Sequence, residues 1–396
     1  SLPVVLAATR GLTDDAEAKA PRLALTIRAP RVQEDRSFQW YHPRVALVPG
    51  ERPLAVMTIQ EHLNTSDHYS GLFQMLSDDQ GATWTGPQPI PSLDWRTDPR
   101  GVTVAVADVT PGWHPPSGKL IAIGAQVRYS KQGEQLEDAP RAHQTAYAVF
   151  DPRDRTWTGW NVLEMPGDPV FEFARSACAQ FVVEADGTLL LPFYVGRNAR
   201  EPYRVTVVRA SFDGRVLSYR AHGPFLEHPV DRGIYEPSLI RSAGAYDLTL
   251  RTDRDARVAR SADGLRYEPP RLWSFDDGSR LECANTQQHW LSLGPHLYLV
   301  YTRKAIGNDH IARHRAPLFL ARVDPAKLQL IRASERIVIP ERGGEFGNFG
   351  VNPVSTDEAW ITVGEGIWSE ENRRRGALGA VFVVQVRLQP ESRRPE

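Results

Sequence analysis

Glu236 in YEPSLIR and Arg251 in LRTD stand fifteen residues apart, with strand-forming residues on both sides of a SAGA turn. A hairpin closed at that turn brings the two side chains together. A carboxylate beside a guanidinium stays ionised with a lowered pKa, and it can orient or activate a hydroxyl. The plain alternative is a structural ion pair. Asp67 in NTSDHYS lies in a connector with few basic neighbours. There a carboxyl group is free to act as acid or base, or merely to shape a turn. Tyr235 and Tyr203 offer phenols for proton transfer. Arg128, Arg197, Arg251 and Arg303 end strands, Arg175 opens one, and Arg315 lies ahead of another. Guanidiniums gathered around one cavity repel each other unless an anion sits among them. Arginine grips carboxylate or sulfate through paired donors. The alternative is that each arginine pairs with a nearby Asp or Glu. His42, His143, His289, His310 and His314 are further candidates for the same place. His310 and His314, four apart in NDHIARH, fit one helical face and a metal, but no third ligand has suitable spacing. Neither a metal nor another cofactor is expected. The sequence holds no G-x-S-x-G, phosphate-binding loop, dinucleotide fingerprint or cysteine-based metal motif.

These side chains need elements to position them. Strand signals are abundant, and long amphipathic helical patterns are scarce. Two kinds of hairpin alternate along the chain. The first is apolar strand, short turn, apolar strand, at 44–59, 102–127, 178–195, 237–252, 287–302 and 350–365. The second carries an Asp-containing turn, at 71–84, 145–157, 205–219, 256–267 and 317–331. Its sixth copy is a single strand, 380–388. Two hairpins make one four-stranded sheet, and six such sheets in a ring make an all-β, six-bladed β-propeller. The alternative is a β-sandwich with coincidental spacing. The blades are expected at about 40–96, 100–165, 175–226, 234–275, 286–340 and 348–390 of one domain spanning 1–396. LALTIRAP (23–30), in the segment 1–39, is the candidate strand to join the last blade and hide its edge. Antiparallel strands reverse direction. The start of each first strand, the end of the second and the start of the third therefore face one mouth. The candidate residues, with Phe349 at the start of the sixth blade, occupy those places.

The turn SDDQGATW (77–84) has the spacing S-x-D-x-G-x-x-W. Asp79 can bond its own backbone, Gly81 can supply a positive φ, and Trp84 re-enters a core. The octapeptide resembles the Asp-box, or BNR repeat, of sialidase-type propellers, and SADGLRY (261–267) is a shortened echo. With the blade pattern, most of residues 40–388 resembles the sialidase superfamily. Sialidases are exo-glycosidases that hold the sugar carboxylate with three arginines. They use a loop Asp as acid/base and a Tyr nucleophile helped by a Glu. YHPRVALV looks like the family's Y-R-I-P opening, which puts His42 where the first arginine would stand. The resemblance makes Asp67 the acid/base. YEPSLI looks like N-E-P and makes Glu236 the carboxylate that assists the nucleophile. Arg251 and Arg315 match the second and third arginines. The nucleophilic Tyr falls near FGNFGV, where Asn348 and Phe349 stand. There are thus two departures. Histidine lacks a full, bidentate charge at neutral pH, and the nucleophile position holds no Tyr.

Bulk composition narrows the classes. The 396 residues are 41% hydrophobic and 24% charged, as in globular proteins. A net charge of −1 argues against a general nucleic-acid or membrane-surface binder. Cys178 and Cys283 are too few for a disulfide framework. LPVVLAA near the start looks like the remnant of a secretory signal, so a secreted or periplasmic protein is expected. The expected function is a sialidase-like glycoside hydrolase that removes a terminal acidic sugar from a glycan. Asp67, Glu236, His42 and Tyr235 would carry the chemistry. Arg251, Arg315, Arg175, Arg197, Arg303, His143, His289 and Phe349 would bind the carbohydrate. Two alternatives stand. One is a polysaccharide lyase that cleaves a uronate glycan by β-elimination, using the arginines, His42 or His143, and Tyr235 or Tyr203. The other is a propeller that binds glycan without catalysis.

Overall fold

The computed structural model describes residues 21–32, 36–63, 67–136, 144–196 and 201–389. Its six antiparallel sheets form a six-bladed β-propeller. The first blade runs outward through Gln39–Val48, Leu54–His62, Tyr69–Ser77 and Gln88–Pro89. The second is built on Thr103–His114, Lys119–Tyr129 and Gln144–Asp151. The third uses Leu189–Gly196, Arg204–Phe212 and Leu217–His222. The fourth uses Tyr235–Ser242, Ala245–Arg251 and Ala256–Ser261. The fifth uses Gln288–Leu293, His296–Tyr301 and Leu318–Asp324. The sixth begins with Phe349–Pro353, Glu358–Gly364 and Ala380–Leu388. Its outermost strand is Leu23–Val32, antiparallel to Ala380–Leu388 with Leu23 opposite Leu388. The N-terminal strand thus covers the last edge, as the sequence suggested.

Each blade is sandwiched between two others, so its strands are apolar on both faces, as in AVFVVQV of the sixth. The core is accordingly divided among the six blade interfaces. Val56, Val106 and Phe150 pack between the first and second blades, and Ile121, Val149 and Phe193 between the second and third. Val207, Leu239 and Leu248 lie between the third and fourth, and Trp273, Trp290 and Leu299 between the fourth and fifth. Val300, Phe349 and Ile361 fill the next interface, and Val45, Met57 and Trp360 close the ring. Near the axis one amide ties three blades together. Gln180 Nε2 donates to Trp290 O (2.8 Å) and Val351 O (3.0 Å), and its Oε1 accepts from Trp290 N (2.7 Å).

The Ser77–Trp84 turn forms as its residue types require. Asp79 Oδ1 accepts from Thr83 N (2.9 Å) and Ser77 Oγ (2.8 Å), and Oδ2 accepts from Thr83 Oγ1 (2.6 Å). Gly81 has φ +78°, and a Cβ there would sit 2.9 Å from the Trp360 ring. These hydrogen bonds, from Thr83 above all, bring the Asp79 carboxyl down to about 2.

The inner strands depart from regular hairpins. Register shifts fall between Tyr41 and Arg44, Ala107 and Thr110, and Tyr235 and Ser238. At each shift one non-glycine residue takes a left-handed backbone: His42 (φ 53°), Asp108 (φ 58°) and Glu236 (φ 44°). In the third blade the inner strand is interrupted between Phe173–Arg175 and Val182–Val183, and Cys178 there has φ 58°. Such conformations cost energy and re-aim a side chain. Four consecutive blades therefore each deliver one strained polar residue at their inner strand.

Candidate active site

The strained residues lie at the centre of the mouth. His42 Nε2 is 2.9 Å from Asp108 Oδ1. Burial opposes the charge on Asp108, but His42 and then Arg44 hold its carboxyl well below the usual range. Glu236 Oε2 accepts from Arg251 Nη1 and from Gln287 Nε2 (2.9 Å). The expected Glu236–Arg251 pair is thus formed, with the register placing Tyr235 opposite Arg251.

Around this centre runs a continuous polar network. Arg44 Nη2 donates to Gln287 Oε1 (3.4 Å). Arg251 Nη2 donates to Asn285 Oδ1 (2.5 Å), and Arg315 Nη2 donates to Asn285 O (3.2 Å). Arg315 Nη1 lies 3.6 Å from Glu345 Oε1, which also accepts from the Tyr41 hydroxyl (3.3 Å). The network spans the first, fourth, fifth and sixth blades. Among the described residues, three of its donors have no hydrogen-bond partner: Arg44 Nη1, Arg251 Nε and Arg315 Nε. All three arginines are buried, Arg44 to 1% exposure. The field they make is felt nearby. The Arg313 guanidinium is pushed down by burial and by repulsion from Arg315 and Arg251.

Asp67 sits on the rim, exposed, with φ 52°. Its Oδ1 accepts from the Tyr69 hydroxyl (3.2 Å), and the Tyr69 ring packs 4.8 Å from that of His42. Tyr69 therefore anchors the loop carboxylate to the mouth. Burial, then Asp67, raises the Tyr69 phenol, and burial, then Glu345, raises that of Tyr41. His62, beside Tyr41, falls to about 4 through burial and the nearby His42. Trp368, half exposed, stands over Tyr41 and His62.

His42, Glu236, Arg251, Arg315 and, through Tyr69, Asp67 are thus brought together. Arg175 joins them from the third blade, its Nη1 donating to the Tyr194 hydroxyl (3.4 Å). Other candidates are spent elsewhere. Arg303 makes a two-pronged pair with Glu335 (2.8 and 2.6 Å). The Tyr235 hydroxyl donates to Asp253 (2.7 Å) and accepts from Arg232 (2.6 Å). His289 is locked by Ser238 Oγ (2.7 Å) and Gln287 Oε1 (3.2 Å), with its ring edge-on to Phe349. Burial and Arg44 keep His289 neutral, its pKa far below the usual value. Phe349 is fully buried in the interface core rather than lining a pocket. His310 and His314 do not share a helical face. Arg313 and His314 have positive φ, and the two rings pair separately with Glu341 and Asp309. His143 and Arg197 lie outside the described residues.

Sequence reasoning missed Arg44, Asp108, Cys178, Gln287, Asn285 and Glu345 as site residues. Arg44 had a signal, two residues beyond His42 in YHPRV. The bulge inserts one residue in that strand at His42 and sets Arg44 opposite Thr58.

No family model matches the chain, and no curated protein matches it. Solved structures do. A protein of unknown function from Dyadobacter fermentans aligns with TM-score 0.62 at 13% identity, over 92% of this chain and 99% of that one. Trypanosoma rangeli sialidase in complex with sialic acid aligns with TM-score 0.59 at 15% identity, over 94% of this chain and 60% of that one. Hadza microbial sialidase Hz136 aligns with TM-score 0.62 at 12% identity, over 88% and 66%. The chain therefore spans about three-fifths of the Trypanosoma enzyme's length and about two-thirds of the Hadza enzyme's. The fold is the sialidase-like six-bladed propeller. Among the described residues no helix is long and apolar enough to cross a membrane.

Proposed function

We propose that the protein is a sialidase-like glycoside hydrolase that removes a terminal acidic sugar from a glycan. One observation carries this reading: Arg44, Arg251 and Arg315, from the first, fourth and fifth blades, are joined in one buried network through Gln287, Glu236 and Asn285. Guanidiniums gathered in one place repel each other, and a ligand carboxylate offsets that repulsion. In this reading Arg44 takes the place that the sequence resemblance gave to His42. The neighbouring Trypanosoma structure holds sialic acid, a carboxylate sugar.

The remaining roles follow from position. Asp67, exposed on the rim, protonates the leaving oxygen. Glu236 keeps Arg251 and Gln287 in place beneath the sugar. Tyr41 supplies the nucleophilic phenol that position 349 lacks, and Glu345 accepts its proton as the bond to the sugar forms. Burial raises the Tyr41 phenol, so the proton transfer to Glu345 must accompany attack. A covalent route of this kind retains the anomeric configuration. An exported enzyme suits such a substrate.

The test is incubation with a panel of sialosides and uronate-containing glycans, following reducing ends and ultraviolet absorbance together. New reducing ends without absorbance support hydrolysis. Absorbance rising with new ends means β-elimination and overturns it. Tight binding without turnover means a non-catalytic propeller. Proton NMR of the first product reports retention, expected for Tyr41, or inversion, which assigns attack to water.

A further inference from the structure

The glycan chemistry leaves one constellation at the centre of the mouth unused. His42, Asp108 and Cys178 come from three consecutive blades. One ring nitrogen, one carboxylate oxygen and the thiol sulfur lie within 4.8 Å of one another. We propose that this trio binds one divalent transition-metal ion of the zinc class.

The donor set argues for that class. Nitrogen, oxygen and sulfur together suit Zn²⁺ or Co²⁺, whereas Ca²⁺ and Mg²⁺ take shells of oxygen. Three protein ligands leave a fourth position for water or a ligand. His42 and Cys178 are each 3% exposed, while the Asp108 side chain keeps 18%. The carboxylate is thus the member through which the ion meets the mouth. The imidazole has unused capacity: Nε2 faces Asp108, and Nδ1 is buried with no hydrogen-bond partner among the described residues.

The trio is also held in place before any ion arrives. Cys178 N donates to Asp108 O (3.1 Å), which ties the second blade to the third. The His42 ring packs against Tyr69 and Tyr41, with centroids at 4.8 and 5.8 Å. Ligands fixed in advance lose little freedom on binding.

The balance of the step is simple. The thiol sulfur forms a bond to the ion and releases its proton to solvent, Asp108 binds as the carboxylate, and His42 binds through a ring nitrogen free of its proton. Arg44 then loses part of its counter-charge, so metal binding strengthens the mouth's attraction for anions. By linkage, an acidic ligand tightens the metal by the same factor.

Cobalt titration of the full chain, after chelator treatment, tests the site without reference to activity. One equivalent of Co²⁺ is expected to produce a thiolate-to-cobalt charge-transfer band and the strong visible bands of a four-coordinate site. One equivalent of Zn²⁺ should remove them. Cys178→Ser should lose the charge-transfer band, and Cys283→Ser should keep it. Asp108→Asn retains a side chain that tolerates the left-handed backbone. It should weaken zinc binding at least about tenfold while circular dichroism stays unchanged. Wild-type protein that gives no such band, and no shift in Tm with zinc, would overturn the proposal. So would a band that survives Cys178→Ser.

Discussion

The Ser77–Trp84 turn and the mouth of the propeller handle polar groups in opposite ways. In the turn, Asp79 finds its partners within four residues, at Ser77 and Thr83. In the mouth, partners come from distant blades: Arg44 meets Gln287, Arg315 meets Asn285, and Tyr41 meets Glu345. The turn settles its carboxylate within a few residues, although Trp84 Nε1 at its end is a buried donor without a partner among the described residues. The mouth gathers its cations and carboxylates only once distant blades have met, and that is where charge of one sign can accumulate. Two arginines sharpen the contrast. Arg303 is engaged at Nε and Nη2 by Glu335 and at Nη1 by Lys304 O, whereas Arg44 Nη1 has no partner among the described residues.

Removing the proton donor at the rim should have the largest effect. Asp67→Asn is expected to lower kcat on a sialoside about a thousandfold. Its KM should change little, because the arginines bind the acid group; steady-state kinetics with a substrate bearing a poor leaving group measures both. Arg44→Met should raise KM or Kd about a hundredfold, as expected for losing a charge-assisted contact. Its Tm should fall modestly, since Gln287 Oε1 and the Asp108 carboxylate lose a cationic neighbour. A large fall in Tm with unchanged binding would erase the distinction between the two arginines.

Arg303→Met should do the reverse. Among the described residues it leaves Glu335 with only the longer Arg332 contact (3.5 Å) and the Tyr301 hydroxyl donor. It should cost about 1.5–3 kcal/mol in chemical denaturation, the range for hydrogen bonds to charged groups, and leave kcat/KM intact. The smallest effect belongs to the turn. The folded-state carboxyl of Asp79, at about 2, lies below its unfolded value of about 3.9. The stabilisation it supplies is therefore present above pH ~4 and lost as pH falls toward ~2. Asp79→Asn should lower Tm slightly at neutral pH, and the gap to wild type should close across that window. Solvent exposure keeps the effect below about 1 kcal/mol.

The same contrast explains how much the sequence revealed. The blade repeat, the closing strand Leu23–Val32 and the Ser77–Trp84 turn rest on alternation and turn residues within short windows. The Glu236–Arg251 pair was legible because one hairpin joins its members. Arg303 looked equivalent, but its partner Glu335 lies thirty-two residues onward, beyond any hairpin rule. Asp108 and Cys178 stand singly in apolar runs, and nothing in VAVADVT or SACAQF announces a left-handed backbone. Arg44 needed the register shift after Tyr41, which depends on the pairing with Leu54–His62. Phe349 stands at the strand position that would bind carbohydrate, yet it packs into the core between two blades.

The pairing of Leu23–Val32 with Ala380–Leu388 has a consequence for biosynthesis. The strand that seals the ring leaves the ribosome before any blade, but its partner is made only after the other strands of all six blades. Until then the growing chain keeps open strand edges at both ends, where neighbouring chains can pair with it. The mouth cannot assemble earlier either, because it draws residues from the first blade and from the sixth. The mouth therefore forms only after the sixth blade has been made.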